Sequence, residues 1–204
     1  MNFQGVMRRF EEIGLLLLSD RSLPSVVGLV GGPDVKGSWW GHEKGHEIFR
    51  DLESLDAHAD ALVTRLVSGK VTYLHRRHWP NFISVATANE AWQTNEISSA
   101  ARRLLASVAK EGEIRMDRYV VGKDAPLFRD AAREIERRLL VYTDEIHTEK
   151  GSHAKVLMTW SRCPKIRDQR FALRPPAAAR EALENLIDGL NSEFGGSGRL
   201  PWRQ

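Results

Sequence analysis

EISSAARRLLASVAKEGEIRMDRYVVGKDAPLFRDAAREIERRLLVYTDEIHTEKGSHAKVLMTW, residues 96–160, is the stretch from which the rest of the chain is read. Ile97, Ala101, Leu104, Leu105 and Val108 recur at helical spacing, and Gly112 stands where such a helix needs a left-handed cap. Residues 113–121 supply a short strand. Pro126, tolerated in a first turn, opens a second helix in which Leu127, Ala131, Ile135 and Leu139 face inward. Arg129, Arg133 and Arg137 form a separate stripe spaced by four. Residues 140–160 then read as a hairpin turning around Lys150 and Gly151. A three-residue loop there places His147 opposite His153 and Glu145 opposite Lys155.

The preceding residues repeat this order. Val6, Phe10, Ile13 and Leu17 mark a helix over 6–19, and the β-branched run 25–30, closed by Gly31, Gly32 and Pro33, reads as a buried strand. Ile48, Phe49, Leu52 and Leu55 mark a second helix. Two β-rich runs then meet at Ser68 and Gly69, where glycine supplies the positive φ of a tight turn. Trp79 and Pro80 open a further helix. The expected fold is therefore α+β, two winged-helix-like units in tandem (helix, short strand, helix, β-hairpin, twice) with a C-terminal helix. The expected segments are 1–93, 94–162 and 163–204. The last comprises a basic connector, a helix carrying Leu183, Leu186, Ile187 and Leu190, and a tail that is mobile unless Trp202 docks. The two halves share no residue-level repeat.

The composition is that of a globular chain: of 204 residues, 42% are hydrophobic and 28% charged. The net charge is only +3 although the isoelectric point is near 9.2, so a basic surface must arise by clustering. The single cysteine, Cys163, excludes an internal disulfide and a thiolate-built zinc site, and points to a reducing, cytoplasmic setting. The apolar run 13–18 is far shorter than the roughly 18 residues of a membrane span, so no membrane partner is expected.

His42, Glu43 and His46 match H-E-x-x-H, the helical zinc motif in which two histidines lie one turn apart. Gly41 and Gly45 weaken helix there, Lys44 and Glu47 add charge, and the local sequence forces no third ligand, Glu90 included, close by. His147, Glu149 and His153 resemble a deaminase ligand set, but Cys163 has no second cysteine to complete it. The chain carries no Gly-rich phosphate loop or nucleophile elbow. We expect no metal and no cofactor.

The basic features are more numerous. From Ala61 to Asn89 there is no acidic residue, while Arg65, Lys70, His75, Arg76, Arg77 and His78 are interleaved with Tyr73 and Trp79. This pattern suits a phosphate backbone; the alternative is a charged sheet edge that resists aggregation. Arg129, Arg133 and Arg137 lie where a recognition helix meets a DNA groove, although Asp130, Glu134 and Glu136 stand at ion-pairing distance along the same helix. Lys150 and His153 mark the wing. The unmatched charge is expected in the first hairpin and in the connector Arg162, Lys165, Arg167, Arg170 and Arg174.

The strings GSWWGHEKGHEIF, LVSGKVTYLHRRHWP and ERRLLVYTDEIHTEKGSHAKVLMTW resemble a bacterial family related to the AlkZ/YcaQ winged-helix proteins. That resemblance would cover most of the chain. It implies a winged-helix fold and DNA binding. In those relatives a glutamine-centred motif supports removal of alkylated bases; here Gln93 stands in WQTNE without the second glutamine or aspartate two residues on, which leaves glycosylase activity in doubt. The expected function is nucleic-acid binding, with duplex DNA favoured and homodimerisation possible. A DNA-repair enzyme, an H-E-x-x-H zinc hydrolase and a protein-interaction module on the same scaffold are the alternatives.

Overall fold

Asn2 caps the first helix, α1 (Phe3–Ile13), its side chain accepting from the Gly5 N–H at 3.0 Å. Gly14, at φ 86°, ends the helix in the left-handed region, and β1 (Leu15–Leu17) begins immediately, all three leucines buried. A helix over 6–19 was expected; it stops at Gly14 because a run buried on both faces has no period by which strand and helix are told apart. The run 25–30, expected as a strand, is the short helix α2 (Val26–Gly31). Ser25 sits in extended backbone and its hydroxyl accepts from the Gly28 N–H at 3.1 Å, which is an N-cap; Val26, Val27 and Val30 are buried for packing rather than for strand pairing.

The helix α3 (Gly45–Ala57) buries Ile48, Leu52 and Leu55. The strands β2 (Ala61–Thr64) and β3 (Thr72–His75) then form the expected hairpin, in a sheet ordered β1-β3-β2 with every pair antiparallel. Its core is Val6, Phe10, Leu16, Val26, Ile48, Leu52, Leu55 and Tyr73. The turn holds Ser68 at φ 52° and Gly69 at φ 68°. Ser68 is fixed there by the C-terminal tail: its N–H donates to the Arg199 carbonyl at 2.7 Å and its hydroxyl accepts from the Arg199 N–H at 3.1 Å.

The structure, a computed structural model, describes residues 2–32, 35, 38–119, 122–148, 151 and 153–203. It divides into Met1–Phe82 with Leu173–Gln204, and Ile83–Ala172, the boundary falling inside α4 (Trp79–Ala86). Residues 173–204 thus belong with the first unit and 163–172 with the second, where the expected segments ran 1–93, 94–162 and 163–204. The helix α9 (Pro176–Phe194) buries Ala179, Leu183, Ile187 and Leu190. Trp202 does dock, donating to Glu184 at 2.7 Å, and Arg203 pairs with Glu184 and Asp188.

The second unit follows α5 (Ala91–Thr94) with α6 (Ser99–Glu111), capped by Ser98 and closed by Gly112 at φ 82°. Then come β4 (Glu113–Arg115), α7 (Met116–Tyr119), α8 (Ala125–Arg137), β5 (Tyr142–His147) and β6 (His153–Met158), in an antiparallel sheet ordered β4-β6-β5. His147 faces His153 and Glu145 faces Lys155, as the hairpin register required. On α8 the inward face is Phe128, Ala131, Ala132 and Ile135; Leu127, expected inside, is half exposed because the buried stripe follows i, i+3, i+4, i+7 rather than fours alone. Both units therefore run helix, strand, helix, helix, strand, strand, with the first strand beside the last. Among the described residues no helix is long and apolar enough to cross a membrane.

A Cβ on Gly14 would collide with Arg77 and His78, and one on Gly112 with the Arg162 guanidinium; at Gly69 it would meet open space. All three have positive φ. Gly69→Ala should cost no more than the roughly 1 to 2 kcal/mol of a left-handed alanine, and Gly14→Ala and Gly112→Ala should each cost more. Urea midpoints measure the difference; equal losses at the three sites would show that the guanidinium contacts add nothing.

Candidate nucleic-acid interface

Arginine side chains at four-residue spacing share one face of a helix, and the apolar residues of α8 leave that face outward. Arg129, Arg133 and Arg137 are all exposed. The acids beside them mostly turn away. Glu134 accepts from the Ser98 N–H at 2.9 Å, at the start of α6, and Glu136 pairs with Lys155 on β6 at 3.0 Å. Asp130 alone meets the stripe, 2.8 Å from Arg133, with both side chains mostly in solvent, where such a pair contributes little. Among the described residues Arg129 and Arg137 have no ion pair.

Between α7, α8 and β6 lies a groove of about 360 Å³. Met116, Phe128, Ala132 and Ala154 form its apolar lining, and Arg129, Arg133, His153 and Lys155 bring positive or protonatable groups to it. Among the described residues the one carboxylate lining it, Asp117, is engaged by Arg115 through two bonds of 3.2 and 2.9 Å, which hold it below the usual carboxylate range. The rings of His147 and His153 lie 4.2 Å apart across the hairpin. Three of the sequence candidates, Arg129, Arg133 and His153, thus gather in one groove, and Arg137 continues the stripe. Lys155 was not among the candidates, although alternation puts it on the same face of β6 as His153. Lys150 lies outside the described residues.

The first hairpin is different. Its sequence window lacks acids, but the fold supplies them from outside. Lys70 pairs with Asp20 and Arg76 with Asp60 at 3.0 Å. Burial opposes charge on Asp20, yet Lys70 and the Ser22 and Leu23 amides hold its carboxyl below the ordinary range. Arg65 donates to the Gly69 carbonyl across the turn at 3.3 Å. Arg77 donates to the carbonyls of Glu11 and Glu12 at the end of α1, and to His78 Nε2 at 3.0 Å. His75 accepts from the Arg77 N–H at 3.4 Å and sets its ring edge-on to Phe10. The charge expected to be unmatched in this hairpin is therefore paired or hydrogen-bonded, although Lys70 and Arg76 remain half exposed.

The other constellations resolve structurally. His42 precedes α3 in extended backbone and its Nδ1 accepts from the Lys44 N–H at 3.2 Å, so His42 and His46 do not share a helical turn. Among the described residues no three His, Cys, Asp or Glu side chains gather as a ligand set. Cys163 is buried, which pushes its thiol up to about 11 and away from the reactive thiolate. Gln93 is fully buried, donating to the Ala86 and Arg138 carbonyls and accepting from the Glu90 N–H. Its amide is used in tying α5 to the end of α8.

No family model matches this chain, and no match was found among curated proteins or solved structures.

Burial, with the Arg77 charge beside it, pushes His78 down to about 4. The folded chain thus keeps this imidazole neutral as an acceptor, while the unfolded chain protonates it near its ordinary value of 6.5. The unfolded state binds more protons between these values, so stability falls as pH drops from about 6.5 to 4. Melting temperatures should fall over that interval, and less steeply in His78→Gln. An unchanged slope in the variant would remove His78 as the cause.

Proposed function

We propose that both units are winged-helix domains and that the second binds duplex DNA, with α8 entering the major groove and the β5–β6 hairpin as the wing. The observation that carries this reading is the groove in which Arg129, Arg133, His153 and Lys155 meet: Glu134 is turned to the start of α6, and although Asp130 and Glu136 pair with Arg133 and Lys155, Arg129 there and Arg137 farther along the stripe have no ion pair among the described residues. The order of elements and the position of the first strand beside the last support the fold. At about 1.5 Å per residue α8 is about 20 Å long, and a major groove about 12 Å wide admits one helix. Arginine on such a helix bonds guanine bidentately or contacts phosphate, and each neutralised phosphate releases counterion. Base removal is not part of the proposal, since the amide of Gln93 is enclosed and fully bonded.

Fluorescence anisotropy with a labelled duplex, titrated from low to physiological salt, tests the reading. The wild-type chain should bind with steep salt dependence. Arg129→Glu with Arg133→Glu should weaken binding at least about tenfold and reduce the magnitude of the logarithmic salt slope by about 2, near 0.9 per phosphate contact. Arg76→Glu should leave the slope nearly unchanged. Absence of affinity for any duplex at low salt sinks the proposal.

A further inference from the structure

In the first unit the helix before the hairpin, α3, is chemically unlike α8. Its exposed face carries His46, Glu47, Phe49, Arg50 and Glu53, and Glu43 is exposed just ahead of it. Beside this face stands an aromatic shelf. Trp40 is 65% exposed and stacks on Trp39, with ring centroids 4.1 Å apart and planes at 23°. Phe49, 40% exposed, tilts against Trp40 at 5.5 Å.

The shelf is built into the unit. Trp39 and Trp40 lie on a single 3-10 turn, and a Cβ on Gly45 would sit 3.3 Å from the Trp39 and 3.1 Å from the Trp40 carbonyl oxygen. A side chain at Gly45 would press that turn outward by a few tenths of an ångström, and the Gly45 N–H donates to the His42 carbonyl at 2.8 Å. Exposed aromatic rings that touch one another, rather than a single one, form the contiguous apolar surface that marks contact sites.

Charge decides what it contacts. Among the described residues none of Glu43, Glu47 and Glu53 is ion-paired, and Lys44 reaches back to the Val30 carbonyl at 3.5 Å. Arg50 is the one exposed cation on the α3 face. Carboxylates repel phosphate, whereas the negative faces of indole and phenyl rings attract guanidinium, and neighbouring acids strengthen that attraction. We infer that the Trp39–Trp40–Phe49 shelf docks a basic segment of a partner protein, with an arginine laid over Trp40 and further cations meeting Glu43, Glu47 and Glu53.

The test uses the full chain and short fluorescein-labelled peptides of alternating alanine with arginine, lysine or glutamate. Anisotropy should show binding of the arginine peptide, weaker binding of the lysine peptide and none of the glutamate peptide. Trp40→Ser with Phe49→Ser should weaken the arginine peptide by about fivefold at an unchanged melting temperature. Glu47→Lys with Glu53→Lys, which leaves the rings in place, should weaken it as well. Equal binding of the arginine peptide by wild type and both variants overturns the inference. So does binding of oligothymidine that Trp40→Ser abolishes, which would make the shelf a base-stacking platform, or a dimer in sedimentation that the same variant dissolves.

Discussion

Each unit depends on one corner, the single left-handed glycine that turns its first helix into its first strand. Gly14 donates to the Phe10 carbonyl at 2.7 Å, and Gly112 to the Val108 carbonyl at 2.7 Å, closing α1 and α6. Their own carbonyls accept from the end of the last strand, His75 closing β3 at 3.0 Å and Thr159 just past β6 at 3.1 Å. An arginine then packs over the bare Cα, Arg77 in one unit and Arg162 in the other. The same constraint therefore locates the hairpin against the helices twice, with no shared residue pattern beyond glycine and arginine. In the second unit it sets β6 beside β4, which brings His153 and Lys155 to the groove that α8 borders.

Within that frame, charge is distributed by tertiary contact rather than by composition. The first hairpin looks strongly basic along the chain, yet Asp20 and Asp60 reach Lys70 and Arg76 from outside it, and Arg77 neutralises carbonyl dipoles at the end of α1. The second unit shows the converse. Glu134 and Glu136 adjoin the arginine stripe in sequence, but their carboxylates point to a helix start and to a strand lysine. Net charge of +3 is compatible with either arrangement; only the directions of the side chains separate them.

The two helices that precede the hairpins have been given opposite surfaces. Both bury an apolar stripe, but α8 presents arginines and α3 presents acids flanked by exposed aromatic rings. A scaffold used twice need not be used for the same partner.

Sequence alone determined the α+β class, the helix before Gly112, the strand that opens at Glu113, the first hairpin turn and the pairing of His147 with His153, but it carried that strand on to 121 where the chain turns at Met116 into the short helix α7. These are set by short-range causes: amphipathic period, glycine at positive φ, and register counted from a turn. It misread 15–17 and 25–30, because a fully buried run has no period and a serine cap outweighs β-branched propensity. It left open whether the arginine stripe was neutralised, and it put unmatched charge in the first hairpin, where Lys70 and Arg76 are ion-paired, while Arg129 and Arg137 on α8 have no ion pair among the described residues. Those questions are decided only by the tertiary structure, since the partners of Lys70 and Glu134 lie 50 and 36 residues away and no local pattern records which way a charged side chain turns.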